Sequence, residues 1–344
     1  MNNAPLTYRE AGVDLEAADR FVSFVRKLAQ TTHGSEVLDR GDAYAGLYRL
    51  PLHGLSHPLI AATCDGVGTK LLVARDCQDY RGIGQDLVAM NVNDLLPRGA
   101  RPLFFLDYIA VGSLASVPLR EIAEGITAAC RQVGCALLGG ETAELPDGYQ
   151  ERDCDLAGFA VGLCEESQVP LGNVSAGDLI LGLPSSGIHA NGLSLARRIL
   201  QHAGLSYSHG VPELPHSLGT ELLIPTRLYV EQVLQIQTTM RIKAAAHITG
   251  GGLLGRATKL CPPGLQLRIN PASYVRPPIF DVLARLGSVA EAELARTFNM
   301  GLGFLMITSP QEAEKLATAS IAELRVVGQV SEGIGVDLGY AHDA

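Results

Sequence analysis

The chain has 344 residues, 47% hydrophobic and 18% charged, with 36 acidic against 27 basic side chains and a formal charge of −9. This length points to about two domains with enough core to need no covalent staple, and the composition excludes disorder. There is no Lys/Arg-rich run to serve nucleic acid or an anionic membrane. The seven scattered cysteines, none in a C-x-x-C pair, speak for reduced thiols in a cytoplasmic protein and against a zinc site. No apolar run approaches the roughly 18 residues of a membrane span, and the N-terminus lacks a basic segment leading into an apolar core.

In chain order, Tyr8 to Asp14 lead into a predicted helix on which Phe21, Val25, Leu28 and Ala29 recur at i, i+4, i+7 and i+8, ending near Gly34. After a glycine-containing loop, Pro58 to Ala62 form an apolar strand, followed by Asp65-Gly66-Val67-Gly68-Thr69-Lys70. Just past a strand end, two glycines admit backbone N–H groups to an anion, Asp65 can hold a divalent cation, and Lys70 offers a point charge to phosphate. The pattern is neither a Walker A loop nor a G-x-G-x-x-G fingerprint. A plain glycine turn with one exposed carboxylate is the competing reading.

From Gly84 to Leu96 a helix buries Val88, Val92 and Leu95, with Asn91 and Asp94 side by side on its flank, either completing a metal site or simply solvated. The residues 102–110 form a buried strand containing Asp107, which needs a structural hydrogen bond if it points inward. A helix on Leu119, Ile122, Ile126, Ala129 and Val133 stops at Gly134. A short strand then runs into Gly139-Gly140-Glu141-Thr142-Ala143-Glu144, a second case of glycines followed by carboxylates. Asp65, Asp94 and Glu141 are therefore three places from which Mg²⁺ ligands could converge.

After the strand 156–164, pattern breakers over 165–176 mark a domain boundary. A strand from Asp178 to Leu183 leads through Ser185-Ser186-Gly187-Ile188-His189-Ala190-Asn191-Gly192 into a helix, a turn suited to an anion at a helix N-terminus. His189 is either a proton carrier there or a cap of the turn. A helix is expected over 226–237. Then come a strand, His247 and the triple glycine Gly250 to Gly252, whose entropic cost suggests a backbone that approaches a ligand. No G-x-S-x-G elbow is present, so the chemistry left is phosphoryl transfer by positioning and charge neutralisation.

Taken together, YREAGVD (8–14), DGVGTK (65–70), DLVAMNVNDL (86–95), FFLDY (104–108), GGETAE (139–144), SSGIHANG (185–192), PTRLY (225–229), AHITGGG (246–252) and RTFNMG (296–301) resemble the aminoimidazole ribonucleotide synthetases, also called phosphoribosylformylglycinamidine cyclo-ligases. The resemblance spans nearly the whole chain in the expected order. It implies an α/β (α+β type) fold with two domains. Residues 1–168 would form an ATP-binding and dimerisation domain whose mixed sheet pairs across a homodimer, and 169–344 a C-terminal α/β sandwich.

The implied reaction belongs to purine biosynthesis. ATP phosphorylates the formyl oxygen of formylglycinamidine ribonucleotide, and an internal nitrogen then closes the imidazole ring, releasing ADP and phosphate. Mg²⁺ is the implied cofactor and ATP the co-substrate. Carried onto this chain, Asp65, Asp94 and Glu141 would serve metal and nucleotide phosphates, with Gly66, Gly68, Thr69, Lys70 and Asn91 lining the nucleotide. His189, Asn191 and His247 would face the substrate, the two histidines as acid/base groups, while Ser185, Ser186, Gly250, Gly251 and Gly252 would hold its ribose phosphate or the nucleotide. One stretch departs from the family pattern: Glu36-Val37 is followed by Leu38-Asp39-Arg40-Gly41-Asp42 instead of a glycine-dense loop. The rival reading is a catalytically silent Mg-nucleotide-binding dimer of the same fold.

Overall fold

The computed structural model describes residues 7–8, 11–38, 45–317, 321 and 323–340; Asp39 and Asp42 of the departing loop lie outside these. The first half contains α1 (Leu15–Gln30), β1 (Pro58–Gly66), α2 (Lys70–Cys77), α3 (Ile83–Leu95), β2 (Arg101–Val111), α4 (Leu119–Gln132), β3 (Ala136–Glu144) and β4 (Cys154–Glu165). The second half contains β5 (Leu179–Pro184), α5 (Leu193–His202), α6 (Leu218–Leu223), α7 (Val230–Thr239), β6 (Ala244–His247), α8 (Gly252–Leu260), β7 (Leu265–Ile269), α9 (Ile279–Gly287), α10 (Glu291–Thr297), β8 (Leu302–Thr308), β9 (Arg325–Glu332) and β10 (Gly335–Asp337). Among the described residues, no helix is long and apolar enough to cross a membrane.

The first sheet has the order β1-β4-β2-β3, antiparallel except for β2 with β3, so it is mixed. Alternation along β2 sends Leu103, Phe105, Ile109 and Val111 to the face covered by α3 and α4. Asp107 shares that buried face; burial pushes its carboxyl up to about 7, against which its own backbone N–H works. Glu141 lies inside β3, because the glycines before it pair with β2 and Asp107 packs directly over Gly140. The expected strand end at Gly139 is therefore the middle of an edge strand.

The second sheet has the order β10-β7-β9-β5-β8-β6. Both β5 and β6 run antiparallel to the central β8, and Phe304 of β8 lies opposite Leu183 of β5 and His247 of β6. The two strands are thus parallel, end at the same edge and each hand over to a helix there. Alternate residues of this sheet point to different cores. Leu181, Leu183, Phe304 and Met306 join the core of the first half through α7, whereas Ile180, Leu302, Leu305 and Ile307 pack under α5, α8 and α9.

The helix expected over 226–237 begins only at Val230. Residues 224–229 stay outside any helix because α3 captures their backbone. Asp86 Oδ1 accepts from Thr226 N at 2.8 Å, Asn93 Oδ1 accepts from Tyr229 N at 2.9 Å, and Asn93 Nδ2 donates to Arg227 O at 2.8 Å. Buried on nearly every side, α3 must satisfy these polar groups internally, and doing so ties the two halves together.

Candidate active site

The end of β1 lies beneath α3. Asn91, wholly buried, takes Asp65 N on its Oδ1 at 2.9 Å and donates through Nδ2 to Asp65 O at 3.1 Å and Leu87 O at 2.9 Å. Its amide is fully engaged in fixing the Asp65 backbone, so Asn91 supports the site and does not line it. The Asp65 carboxyl accepts from Gly66 N at 2.7 Å. Burial pushes this carboxyl up, the Gly66 N–H opposes that, and the neighbouring Asp94 charge adds to the rise, with His247 and Arg256 pulling it back. A cation beside Asp65 would relieve that rise.

Asp94 is held by His247, whose Nδ1 lies 2.8 Å from Asp94 Oδ1 while the imidazole is completely buried. The other ring nitrogen, Nε2, is 3.4 Å from Asn93 Nδ2. Nδ1 faces Asp94 and Nε2 faces Asn93, so both nitrogens are occupied. Its expected place facing the substrate is not what the structure shows: it orients the carboxylate, which remains partly open to solvent.

Lys70 departs furthest from expectation. Its ammonium is fully buried, 3.0 Å from Asp86 Oδ1, 2.8 Å from Asp86 Oδ2 and 2.7 Å from Ile224 O. Burial pulls its proton affinity down while Asp86 supports it. The side chain of the first residue of α2 turns inward, beneath the extended segment 224–229, and presents no charge to the cleft. Of the preceding glycines, Gly66 packs its α-carbon against Leu156 O, leaving no room for a side chain, while Gly68 adopts φ +67° beside open space. Thr69 Oγ1 meets Ser194 Oγ of α5 at 3.0 Å, which joins this loop to the start of that helix.

The serine turn after β5 converges on the same mouth. His189 is buried with a left-handed φ of 64°; its Nε2 accepts from Ser186 N at 3.2 Å, and its Nδ1 has no partner among the described residues. Burial, with the His247 charge next, holds it well below the ordinary imidazole range, so it is neutral with the proton on Nδ1. Ser186 Oγ donates to Pro225 O at 2.6 Å, whereas Ser185 Oγ is buried without a partner among the described residues. Asn191 donates to Met90 Sδ at 3.6 Å, and its Oδ1 lies over Gly250.

The triple glycine has three separate reasons. Gly252, at φ +61°, presses against Ala295 O and Phe298 O, a packing constraint with no ligand involved; Gly251 caps α8 at φ +92°; Gly250 and Gly251 are both uncrowded, a side chain at either meeting a single atom at 3.7 Å. Close approach by a ligand thus has room at Gly250 and Gly251 and none at Gly252. Glu141 joins none of this. Along one level of the sheet run Asp65, Gly158, Asp107 and Gly140, so Glu141 is three strand spacings from Asp65, about 14 Å. Among the described residues no three acidic, His or Cys side chains converge as a metal cage. Asp86, Asn93 and Thr226, which hold the site, went unnoticed in the sequence because their partners are remote along the chain.

Residues 45–164 match the family described as AIR synthase related protein, N-terminal domain, and 175–340 match its C-terminal domain. The fold and site thus place the chain in the class of two-domain AIR synthase related proteins. Over 313 residues it is 44% identical to the phosphoribosylformylglycinamidine cyclo-ligase of Syntrophotalea carbinolica, covering 90% of this chain and 89% of that one. The corresponding protein of Sorangium cellulosum is 46% identical over 318 residues, 91% of each chain. The chain belongs to the phosphoribosylformylglycinamidine cyclo-ligase family. Its fold is shared more widely. A thiamine-monophosphate kinase from Stenotrophomonas maltophilia superposes with a TM-score of 0.67 at 19% identity, covering 92% of this chain and 95% of that one, and E. coli HypE, a hydrogenase maturation protein, with 0.62 at 17%, covering 94% and 95%.

Proposed function

We propose that this protein closes the imidazole ring of aminoimidazole ribonucleotide from formylglycinamidine ribonucleotide, consuming ATP and releasing ADP and phosphate. The observation that carries the reading is the Asp94–His247 contact. It joins α3 to the end of β6 and so brings the Asp65/Asp94 pair to the mouth where two helix N-termini open. Phosphorylating the formyl oxygen turns it into a leaving group. The substrate's own nitrogen then attacks the adjacent carbon and phosphate departs, with no covalent enzyme intermediate.

In this reading Asp65 and Asp94 would hold Mg²⁺, which would offset the phosphate charge, and the rise that the Asp94 charge adds at the Asp65 carboxyl supports a cation there. Gly68, Thr69 and the start of α5 would hold nucleotide phosphates, and Ser185 and Gly250 the other anionic group. His189 donates from Nδ1 to the substrate, held in that tautomer by Ser186 N. Asn191 positions the substrate beside it.

A homodimer is part of the proposal. The face of the first sheet turned away from α3 exposes Ile60 and Phe159, at 60% and 43%, with Tyr108 beside them. An apolar patch of this kind suits a second copy of the same sheet. A cytoplasmic setting agrees with seven unpaired cysteines.

Turnover with formylglycinamidine ribonucleotide, ATP and Mg²⁺ tests this directly. Equal release of the aminoimidazole amine and ADP is expected, with activity falling by roughly two orders of magnitude or more in Asp65→Asn and Asp94→Asn. ADP without the amine would mean another phosphoryl acceptor. Nucleotide binding with neither product would mean a silent binder.

A further inference from the structure

Arg256 stands in the second turn of α8, directly after the Gly250 to Gly252 turn. Its Nη2 donates to Thr249 Oγ1, its Nε is buried without any acceptor, and no carboxylate among the described residues pairs with it. Arg197 of α5 and Arg276 also have a buried Nε with no acceptor among the described residues, but Arg276 binds Glu291 and Asp281, Arg227 binds Glu323 and Gln232, and Arg256 alone of these is tied to Thr249 beside Gly250. A guanidinium with an orphaned, buried N–H carries a desolvation cost that an acceptor oxygen would remove.

The surroundings say what kind of oxygen fits. The Thr249 hydroxyl that holds the guanidinium lies two residues after His247, whose imidazole holds Asp94, so the guanidinium stands at the end of β6 that carries the acidic site. Gly250 and Gly251 next to it are uncrowded, a side chain at Gly250 meeting only Asn191 Oδ1 at 3.7 Å. The N-terminal end of α8, a helix of 9 residues, adds a partial positive charge at the same point. Thr249 is itself buried and fixes one prong of the fork, leaving the others set in direction.

We infer that Arg256 is a phosphate-binding residue, whose Nε and remaining Nη hydrogens take the oxygens of a phosphate ester seated over Gly250. The inference rests on the proposed function, which supplies two phosphate-bearing ligands, the ribonucleotide and ATP. Guanidinium is suited to this because its planar fork donates two parallel hydrogen bonds to one phosphate.

The test uses the full chain with Arg256→Gln and Arg256→Lys. Losing charge-assisted hydrogen bonds predicts a KM for one of the two phosphate-bearing substrates raised roughly tenfold or more in the glutamine variant. Its kcat at saturation stays within about threefold, since ground-state and transition-state binding are lost together. A rise confined to the ribonucleotide identifies its 5′-phosphate as the ligand, and a rise confined to ATP the nucleotide phosphates. The lysine variant keeps the charge but not the fork and falls between. Both KM values unchanged would overturn the inference.

If the wild-type chain gives no turnover, the proposed function fails, and calorimetric titration with inorganic pyrophosphate decides the matter separately. Weaker binding in Arg256→Gln supports the assignment, and equal binding, or none in either protein, overturns it. Should the glutamine variant not fold, judged by circular dichroism, the lysine variant decides by the same measurements.

Discussion

Lys70 shows how far a residue's neighbours govern its use. Read along the chain, a lysine after Gly-Val-Gly-Thr is a phosphate ligand; in three dimensions its ammonium is buried against Asp86 and Ile224 O, 154 residues distant. Thr226 adds two further hydrogen bonds to the same carboxylate, at 2.8 and 2.6 Å. Removing one member of such a pair leaves the other charged and buried. Lys70→Met is therefore expected to lower stability by about 3–5 kcal/mol, read from urea unfolding. A loss below about 1 kcal/mol, the range of exposed pairs, would instead mean that the ammonium spends its time in solvent or on a ligand. The role of His247 was legible only in part for the same reason. Its type suggested acid/base work, but its partner Asp94 is 153 residues away, and two occupied nitrogens make it an orienting group.

At the scale of elements, turns after parallel strands build the site. β5 and β6 flank β8 and end level with each other, so the turns into α5 and α8 face one mouth. The three glycines of the second turn separate experimentally. Gly252→Ala would force a methyl group against two backbone carbonyls from a left-handed conformation, with an expected cost of about 1–3 kcal/mol. Gly250→Ala meets open space and should cost under about 0.5 kcal/mol while weakening phosphate binding. Thermal melts of the two variants check the contrast, and equal destabilisation would refute this division of roles. The late start of α7 also belongs to this scale. Helical spacing was visible from Thr226, yet the backbone of 226–229 is claimed by Asp86 and Asn93 of α3 before it can enter the helix. Local propensity yields there to buried hydrogen bonds that no local pattern announces.

At the scale of the molecule, the helices cover one face of the first sheet, and among the described residues the other face is covered at its β2–β3 side, where Tyr48 meets Phe104 and Gly46 meets Leu138. The open part of that face, with Ile60, Phe159 and Tyr108, is the proposed dimer surface. Ile60→Glu is expected to convert a dimer to a monomer in sedimentation velocity, since a buried unpaired charge at an apolar interface costs several kcal/mol. A wild-type chain that sediments as a monomer at micromolar concentration would remove the dimer from the proposal.

The sequence alone determined the main strands and helices of the first half, the turn motifs and the family, because each is carried by residues close together in the chain. Periodicity fixes which face is apolar, and glycine allows a turn wherever it stands. The tertiary structure decided which of the motif residues are working groups. Asp65 and Asp94 come together, Asn91 and His247 serve as their supports, Lys70 is internal, and Glu141 stays on the far edge strand. The physical reason is that a buried polar side chain must find a partner wherever the fold supplies one. For this chain those partners are commonly more than a hundred residues away.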